Sequence, residues 1–475
     1  FYDTVDNANG GSNARILYSF VPYSSSVNVG HLLTALDSNY IANSMTISTR
    51  RPVNWSGVVD TWTEAGTPTD PDVGDYNTYG STQYSSLSSC NAAKPADDSG
   101  WTTYNTDTST STSFDSARGT NGQEVTANGT QQYQRMRNYE CQYRSRSRGR
   151  SGYYIYYRDT TREITSYTYE ARDPVPVTSS GASFSNWLYG PFSVDTSTYK
   201  TFSPAQALVS SSSGRASYNS STTWQGCIQE RQTTPATSFT FGSLDTGISP
   251  ASALALDIDS APTSDDATKW KPLWGSATYR RYTTDFSLSG SSSSSSGSTY
   301  CPHQAQLLTE MSKGDFDDYV DALSPTGSTY HDIGLIWGAR LSSPTGIFAS
   351  NVNEEASNGG TVSRHLILMT DGELEPSLTV NSAYGIETND RRVTTDGSSS
   401  TQRSNHRARY LAVCEAIKAR GIRLWVIAFG SGVTLSSDLQ TCASPNSAFK
   451  ADDAAELNEN FQEIAKQVGE LRIVQ

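Results

Sequence analysis

The order of strand and helix patterns after residue 301 is the strongest constraint on the fold of this chain. Apolar residues at helical spacing mark helices around Tyr319 and Cys414. Apolar runs of strand length lie within His365–Thr370 and Arg423–Phe429, and another helical stripe runs from Leu457 to Val468. Because strands that alternate with helices usually become parallel neighbours, this order predicts an α/β fold with a parallel sheet and helices on both faces.

The middle of the chain, residues 55–300, has a different texture. Short runs of Tyr, Thr and Ser are split by Gly, Pro and Asn. Gln132–Tyr143 alternates strictly, and Tyr153–Tyr157 and Glu163–Glu170 look like further strands, so a β-hairpin or meander is expected. We therefore expect residues 1–54 and 301–475 to form one α/β domain, interrupted by a β-rich insertion over 55–300. The alternative is two unrelated domains in tandem, but residues 1–54 alone are too few to bury a core.

The charge and the cysteines narrow the class of protein. A formal net charge of -13 argues against non-specific nucleic-acid binding by the whole chain. Six cysteines, an even number, indicate an oxidising compartment, and none has the close spacing of a zinc site. The expected disulfides are Cys90–Cys141, Cys227–Cys301 and Cys414–Cys442. The alternative for each is a free buried thiol.

A carboxylate at the end of a predicted strand suggests a metal site. Asp371 lies in Met369–Glu373, directly after an apolar run, where open α/β sheets place their ligands. Thr329 precedes a predicted helix, and oxygen ligands of these kinds suit Mg²⁺ or Ca²⁺. The alternative is that Asp371 makes a turn with Gly372 and that Thr329 caps the helix.

Two histidines and a nearby aspartate also invite a catalytic interpretation. His331 and His365 have no Ser or Cys nucleophile motif beside them and no HExxH motif. Packing or capping is therefore the favoured role for both histidines. Asp332, in the first turn of the same predicted helix as His331, is expected to complement the helix dipole.

Four segments carry a resemblance to a known family: Phe20–Gly30, Thr329–Arg340, Met369–Glu373 and Leu424–Gly430. They resemble TadG-type proteins, the von Willebrand factor A-containing components of tight-adherence (Tad) pilus systems, a kind of type IV pilus, in Gram-negative bacteria. The resemblance implies a von Willebrand A (Rossmann-like) fold. It also implies that Thr329 and Asp371 are ligands of a metal-ion-dependent adhesion site (MIDAS).

The resemblance has one gap. The family's Asp-x-Ser-x-Ser metal loop does not occur at the start of this sequence. We expect that loop, the first strand and a membrane anchor to lie upstream of Phe1. The alternative is that the site has degenerated and the fold is purely structural.

The resemblance also implies a function. The expected protein is not an enzyme, reaches the cell surface or the extracellular space through the periplasm, and mediates adhesion or pilus assembly. Its expected partners are pilins or other filament subunits, and a host, surface or polysaccharide ligand. One alternative is a structural subunit of an extracellular filament joined through exposed β edges. Another is a metal-dependent hydrolase, although no general base is evident.

A stretch rich in Arg and Tyr supplies a candidate binding surface. Residues 135–172 contain nine arginines and four acidic residues. One interpretation is a surface for polysaccharide, anionic lipid, nucleic acid or an acidic subunit. The favoured interpretation is a solvated ladder in which Arg stacks on Tyr, without a specific nucleic-acid partner. The candidate residues are Arg135, Arg137, Tyr139, Tyr143, Arg144 and Arg146.

Overall fold

The computed structural model describes residues 1–9, 15–113, 122–145, 147, 150–210, 216–241, 247–273, 278–280, 287–289, 294–354 and 362–470. The chain divides into unit 1, which comprises Phe1–Arg51 and Thr178–Gln475, and unit 2, which comprises Pro52–Val177. The expected insertion over 55–300 covers nearly all of unit 2 and part of unit 1. None of the described helices is long and apolar enough to cross a membrane.

The described helices are α1 (Tyr2–Asn9), α2 (Gly30–Leu36), α3 (Leu87–Ala93), α4 (Lys313–Asp321), α5 (His331–Ser342), α6 (Ala349–Val352), α7 (Glu387–Asp390), α8 (Ser399–Ala419), α9 (Ser437–Cys442) and α10 (Ala454–Glu470). The strands up to residue 210 are β1 (Tyr18–Phe20), β2 (Ser44–Glu64), β3 (Asp72–Val73), β4 (Asn77–Thr78), β5 (Thr102–Ser113), β6 (Glu124–Arg144), β7 (Gly152–Pro176), β8 (Asn186–Asp195) and β9 (Ala205–Ser210). The later strands are β10 (Ser217–Thr222), β11 (Ile228–Gln229), β12 (Thr240–Phe241), β13 (Ile248–Ser249), β14 (Lys271–Pro272), β15 (Thr278–Arg280), β16 (Ser287–Ser289), β17 (Ser294–Ser296), β18 (Gln306–Thr309), β19 (His365–Thr370), β20 (Asn381–Ser382), β21 (Gly385–Ile386), β22 (Arg423–Phe429) and β23 (Ala448–Ala451).

The core of unit 1 is built around helix α5. All but two of its residues are buried, so the helix is enclosed rather than amphipathic. Gly338 allows α5 to approach the side chain of Leu366 in β19, because a Cβ there would lie 2.7 Å from that side chain. Strand β22 is a continuous apolar run because it lies between β19 and β23 in a three-stranded parallel sheet.

The predicted α/β fold, a Rossmann-like von Willebrand A sheet with helices on both faces, is wrong. Parallel strand pairing among the described strands is confined to β19, β22 and β23, and the largest sheet has eight strands with antiparallel registers. Strands β1 and β18 lie in the two parts of the chain that were expected to form the α/β domain, but they pair antiparallel with each other. The alternation of strands and helices is a local pattern, whereas membership of a sheet depends on long-range pairing that the pattern does not specify.

Unit 2 is an antiparallel sheet dominated by two long strands. Strand β7 pairs with β6 from Arg172 to Gly152 without a break in register. Strand β5 continues the sheet beyond β6, while the C-terminal part of β2, together with β3 and β4, pairs with the other side of β7. Many side chains on β6 and β7 are only half-buried, which is why their sequences are rich in Tyr, Thr, Gln and Arg rather than aliphatic residues.

Three disulfides cross-link the chain, and they are the pairs expected from the sequence. Cys90 in α3 is bonded to Cys141 in β6 within unit 2. Unit 1 contains Cys227–Cys301 and also Cys414–Cys442, which ties α8 to the end of α9. No cysteine is free. Disulfides of this number are typical of proteins that fold in an oxidising compartment, outside the cytoplasm.

Candidate functional site

The end of strand β19 is where the sequence predicts a metal ligand. Asp371 is exposed there, directly after the strand. The preceding Thr370 is buried, and its hydroxyl lies 3.0 Å from Nε2 of His331. The same hydroxyl accepts a hydrogen bond from the backbone N–H of Gly372 at 3.3 Å, which shapes the turn that carries Asp371. The buried hydrogen bonds at this strand end therefore belong to Thr370 and not to the predicted ligand.

The second predicted ligand, Thr329, lies beside a different acidic residue. Its carbonyl accepts a hydrogen bond from the backbone N–H of Glu375 at 2.9 Å, and both residues line a cavity of about 640 Å³ next to the starts of α5 and α8. Asp371 is not among the residues that line this cavity. Arg403 forms ion pairs with Glu375 at 2.8 Å and with Glu373 at 3.4 Å, so the nearby carboxylates already have a cation.

These residues do not fit a complete site for Mg²⁺ or Ca²⁺. Mg²⁺ takes about six oxygen ligands and Ca²⁺ about six to eight, and one Thr hydroxyl with one Asp carboxylate supplies only a minority of them. Within the described ranges, no group of three or more His, Cys, Asp or Glu is arranged to hold a metal ion. Metal binding by Thr329 and Asp371 stays a prediction that this ligand set alone does not support.

A buried polar cluster near α5 is a feature that the sequence did not predict. Asp332 accepts a hydrogen bond from Tyr384 and lies 3.0 Å from Nδ1 of His406, and the Asp332 and His406 side chains are fully buried. Burial acts to raise the pKa of Asp332, but its interactions with His406, Arg409 and Tyr384 together outweigh burial and lower that pKa. Asp332 lies in the first turn of α5, as expected from the sequence, but it is buried and also connects α5 to His406 in α8. No signal in the sequence links it to a histidine 74 positions later.

His331 is also enclosed, which agrees with a packing role. Burial lowers the pKa of His331 to about 4. Its ring packs against Tyr410 and Tyr23 with centroid separations of 5.4 and 6.4 Å. His365 lies at the start of β19, and its Nδ1 accepts a hydrogen bond from the Trp425 indole at 3.2 Å. Nε2 of His331 lies 3.0 Å from the hydroxyl of Thr370, and Nε2 of His365 lies 2.8 Å from the hydroxyl of Ser363.

The Arg and Tyr side chains of the candidate binding surface contact one another along β6 and β7. The guanidinium of Arg137 makes two hydrogen bonds to the carboxylate of Asp159, at 2.6 and 2.8 Å, and lies 3.9 Å from the ring centroid of Tyr157. These hydrogen bonds raise the pKa of Arg137 and lower that of Asp159. Arg135 lies 3.9 Å from Asp159. Arg137 thus stacks on a Tyr ring as in the ladder interpretation, while binding of a partner by these residues stays a prediction.

The far end of β6 presents side chains that are more available to a partner. Tyr143 is 60% exposed and packs edge-on against Tyr153 at 5.3 Å. Arg144 is exposed, whereas Tyr139 packs between Tyr79 and Tyr157. The remaining predicted member, Arg146, lies outside the described residues.

Strand β5 exposes a long and regular backbone edge. From Asn105 to Ser113 its pairing with β6 has no irregularity, and residues 103–112 are exposed. The edge of β6 that extends beyond β5 is already hydrogen-bonded. There the carboxylates of Asp98 and Asp97 accept hydrogen bonds from the backbone N–H groups of Arg137 and Tyr139. In β2 the register shifts twice between Trp55 and Asp60, which interrupts that strand's edge. Among the described strands of unit 2, β5 thus presents the most regular edge, and the sequence does not indicate which strand lies at an edge.

Comparisons of this chain with protein-family models, with curated proteins and with solved structures found no match.

Proposed function

We propose that this protein acts at the bacterial cell surface and mediates adhesion or pilus assembly through protein–protein contacts, without enzymatic activity. Three disulfides support a location outside the cytoplasm. The four segments that resemble TadG-type proteins support a Tad pilus as the setting and pilins or other pilus subunits as partners. The predicted A-domain fold is wrong, so the proposal depends on the surface of unit 2 and not on that fold.

The observation that carries the proposal is the exposed edge of β5. In an antiparallel ladder, every second residue of an edge strand directs its N–H and C=O away from its neighbour. A partner strand that pairs with these groups adds main-chain hydrogen bonds, while its side chains contact the Thr and Ser side chains of β5. Native proteins usually block such edges with Lys, Pro or bulges, and β5 from Asn105 to Ser113 has none of these.

A lysine pair on β5 tests this function. Thr108 and Thr110 are exposed, so Thr108→Lys with Thr110→Lys adds charge at the edge without disturbing a core. We expect bacteria that display the full chain with this pair to lose most of their surface attachment or pilus assembly. The matched control is Thr61→Lys with Thr63→Lys on β2, which are also exposed but lie on a strand with an interrupted edge. Equal attachment by wild type and the β5 variant would contradict the proposal.

A structural subunit of an extracellular filament is the second candidate, because the same edge could pair with another copy of β5. The described part of β5 carries one charged residue, Asp107, so two copies would meet with little repulsion. The two functions differ in what the purified protein does alone. If the purified protein polymerises by itself, and the variant with the β5 lysine pair does not, the result favours the filament subunit. A stable monomer that binds only in the presence of another pilus component favours the first proposal.

A further inference from the structure

Unit 1 contains a polar cavity of about 370 Å³ that is separate from the cavity beside Thr329. It is lined by the start of β2, by residues that follow β11, by Lys271 in β14, and by residues from β20 to the segment after α7. Thr46 and Gln232 on its rim are exposed, so the cavity reaches the surface. Its volume is within the range of small-molecule sites.

Two cations line this cavity, and one of them is unpaired. Among the described residues, the ammonium group of Lys271 has no hydrogen bond and no salt bridge. Burial lowers the pKa of Lys271, and repulsion from Arg392 lowers it further. Arg392 is held in place because its guanidinium donates hydrogen bonds to the carbonyls of Glu230 and Arg231, at 2.7 and 2.6 Å. Asp266 and Asp265 attract the charge of Lys271 without a hydrogen bond to it, so a bound anion would supply the acceptor that its ammonium lacks among the described residues.

The one carboxylate in the cavity wall is already engaged. Asp390 accepts a hydrogen bond from the backbone N–H of Ile386 at 2.6 Å and another from the hydroxyl of Ser48 at 3.2 Å. Burial raises the pKa of Asp390. Because its oxygens serve the protein's own donors, Asp390 orders the wall and leaves Lys271 available for a ligand.

The rest of the wall is suited to a ring that carries hydroxyl groups. The buried amides of Gln229 and Asn381 contact each other at 3.3 Å, and Thr and Ser hydroxyls lie around them. The buried side chains of Ile47 and Ile386 add an apolar patch to the same cavity. Amides and hydroxyls recognise sugar hydroxyls, an aliphatic patch accommodates the C–H face of a sugar ring, and a cation recognises a carboxylate.

We propose that this cavity binds a uronic acid, the carboxylate-bearing sugar of acidic polysaccharides. Lys271 would pair with the carboxylate, while Gln229 and Asn381 would bind ring hydroxyls. This site goes beyond the proposed function, since it involves a soluble ligand and no residue of β5. Its failure would leave the β5 proposal intact, and a failure of the β5 proposal would leave this site intact.

Calorimetric titration of the purified full chain at pH 7 with galacturonate tests the site. We expect saturable binding that Lys271→Gln weakens about tenfold or more, because a charge-assisted hydrogen bond is lost. The substitution removes no hydrogen bond and no salt bridge among the described residues, so the melting temperature should stay close to that of wild type. The matched control is Lys269→Gln, two residues away, whose ammonium pairs with Asp266 and does not line the cavity. This control should bind galacturonate as wild type does.

Three further probes define the ligand class. Galactose, which lacks the carboxylate, and acetate, which lacks the ring, should each bind at least about tenfold more weakly than galacturonate. Equal binding of either one overturns the proposal, as does undiminished galacturonate binding by Lys271→Gln or its absence in wild type. A galacturonate oligomer that binds at least as well as the monomer supports a polysaccharide as the source. If the oligomer does not bind, the ligand is a free sugar acid and not a polysaccharide.

Discussion

At the scale of single residues, the buried polar side chains near the end of β19 form hydrogen bonds within the protein. They stabilise its packing and do not by themselves form a complete metal site. The sequence correctly identifies a strand that ends at Thr370 and a helix that begins near His331. It does not reveal that Thr370 contacts His331 or that Asp332 contacts His406. Those contacts depend on how α5, α8 and β19 pack, and the spacing of residues along the chain does not encode that packing.

The burial of His331 predicts a loss of stability in mild acid. Its pKa is about 4 in the folded protein and near 6.5 when unfolded, so the unfolded chain binds more protons between these values. Stability should therefore fall as the pH decreases from about 6.5 to about 4, by roughly 3 kcal/mol in total, and not change further from this group below that. Urea unfolding at a series of pH values measures the effect.

The comparison needs a variant without the titrating group. His331→Gln should be less stable at pH 7 but should have a flatter pH profile than wild type between pH 4 and 6.5. His303→Gln is the control because His303 is exposed, and it should keep the wild-type profile. An identical slope for His331→Gln and wild type would show that His331 does not titrate in this way.

At the scale of elements, the sequence patterns predict single strands and helices better than they predict how the strands pair in a sheet. Strict alternation from Gln132 to Tyr143 correctly predicts a strand, which is part of β6. The segments around Tyr153–Tyr157 and Glu163–Glu170 look like separate strands in the sequence but form one strand, β7. Polar and aromatic residues alternate without a turn signal between them, so the sequence offers little basis for deciding where such a strand stops.

The pairing of Arg137 with Asp159 should stabilise the β6–β7 ladder measurably. Its two hydrogen bonds fix both side chains in one geometry, and both are about three-quarters buried, with 22% and 26% of their side-chain surface exposed. A double-mutant cycle with Arg137→Gln and Asp159→Asn should give a coupling energy of about 1 kcal/mol in denaturant unfolding.

Arg158 provides the matched cycle. It is adjacent to Asp159 in the chain, but successive side chains of a strand point to opposite faces. Its guanidinium lies 5.1 Å from the ring centroid of Tyr76. The cycle of Arg158→Gln with Asp159→Asn should show a coupling near zero. A coupling energy near zero for Arg137 and Asp159 as well would mean that this ion pair does not stabilise the ladder and that ring stacking does.

At the scale of the whole molecule, the sequence predicted the cross-links better than the architecture. The three disulfides follow the expected pairs, because cysteines that are neighbours along this chain also become neighbours in space. The predicted fold is wrong because parallel pairing among the described strands is confined to β19, β22 and β23, while β1 and β18 pair antiparallel with each other. The exposed edge of β5 was also missed, since an edge is defined by the strand that is absent from one side.

Amide hydrogen exchange along Asn105–Ser113 is the most direct test of contact through β5. In the isolated protein, amides of β5 that do not donate to β6 should exchange rapidly, while alternate amides in the same strand exchange more slowly. On assembly into a pilus or attachment to a partner, the rapidly exchanging amides should become protected, while the exposed residues Thr61 and Thr63 of β2 keep their rates. Unchanged exchange rates along Asn105–Ser113 in the assembled state would contradict contact with a partner through β5.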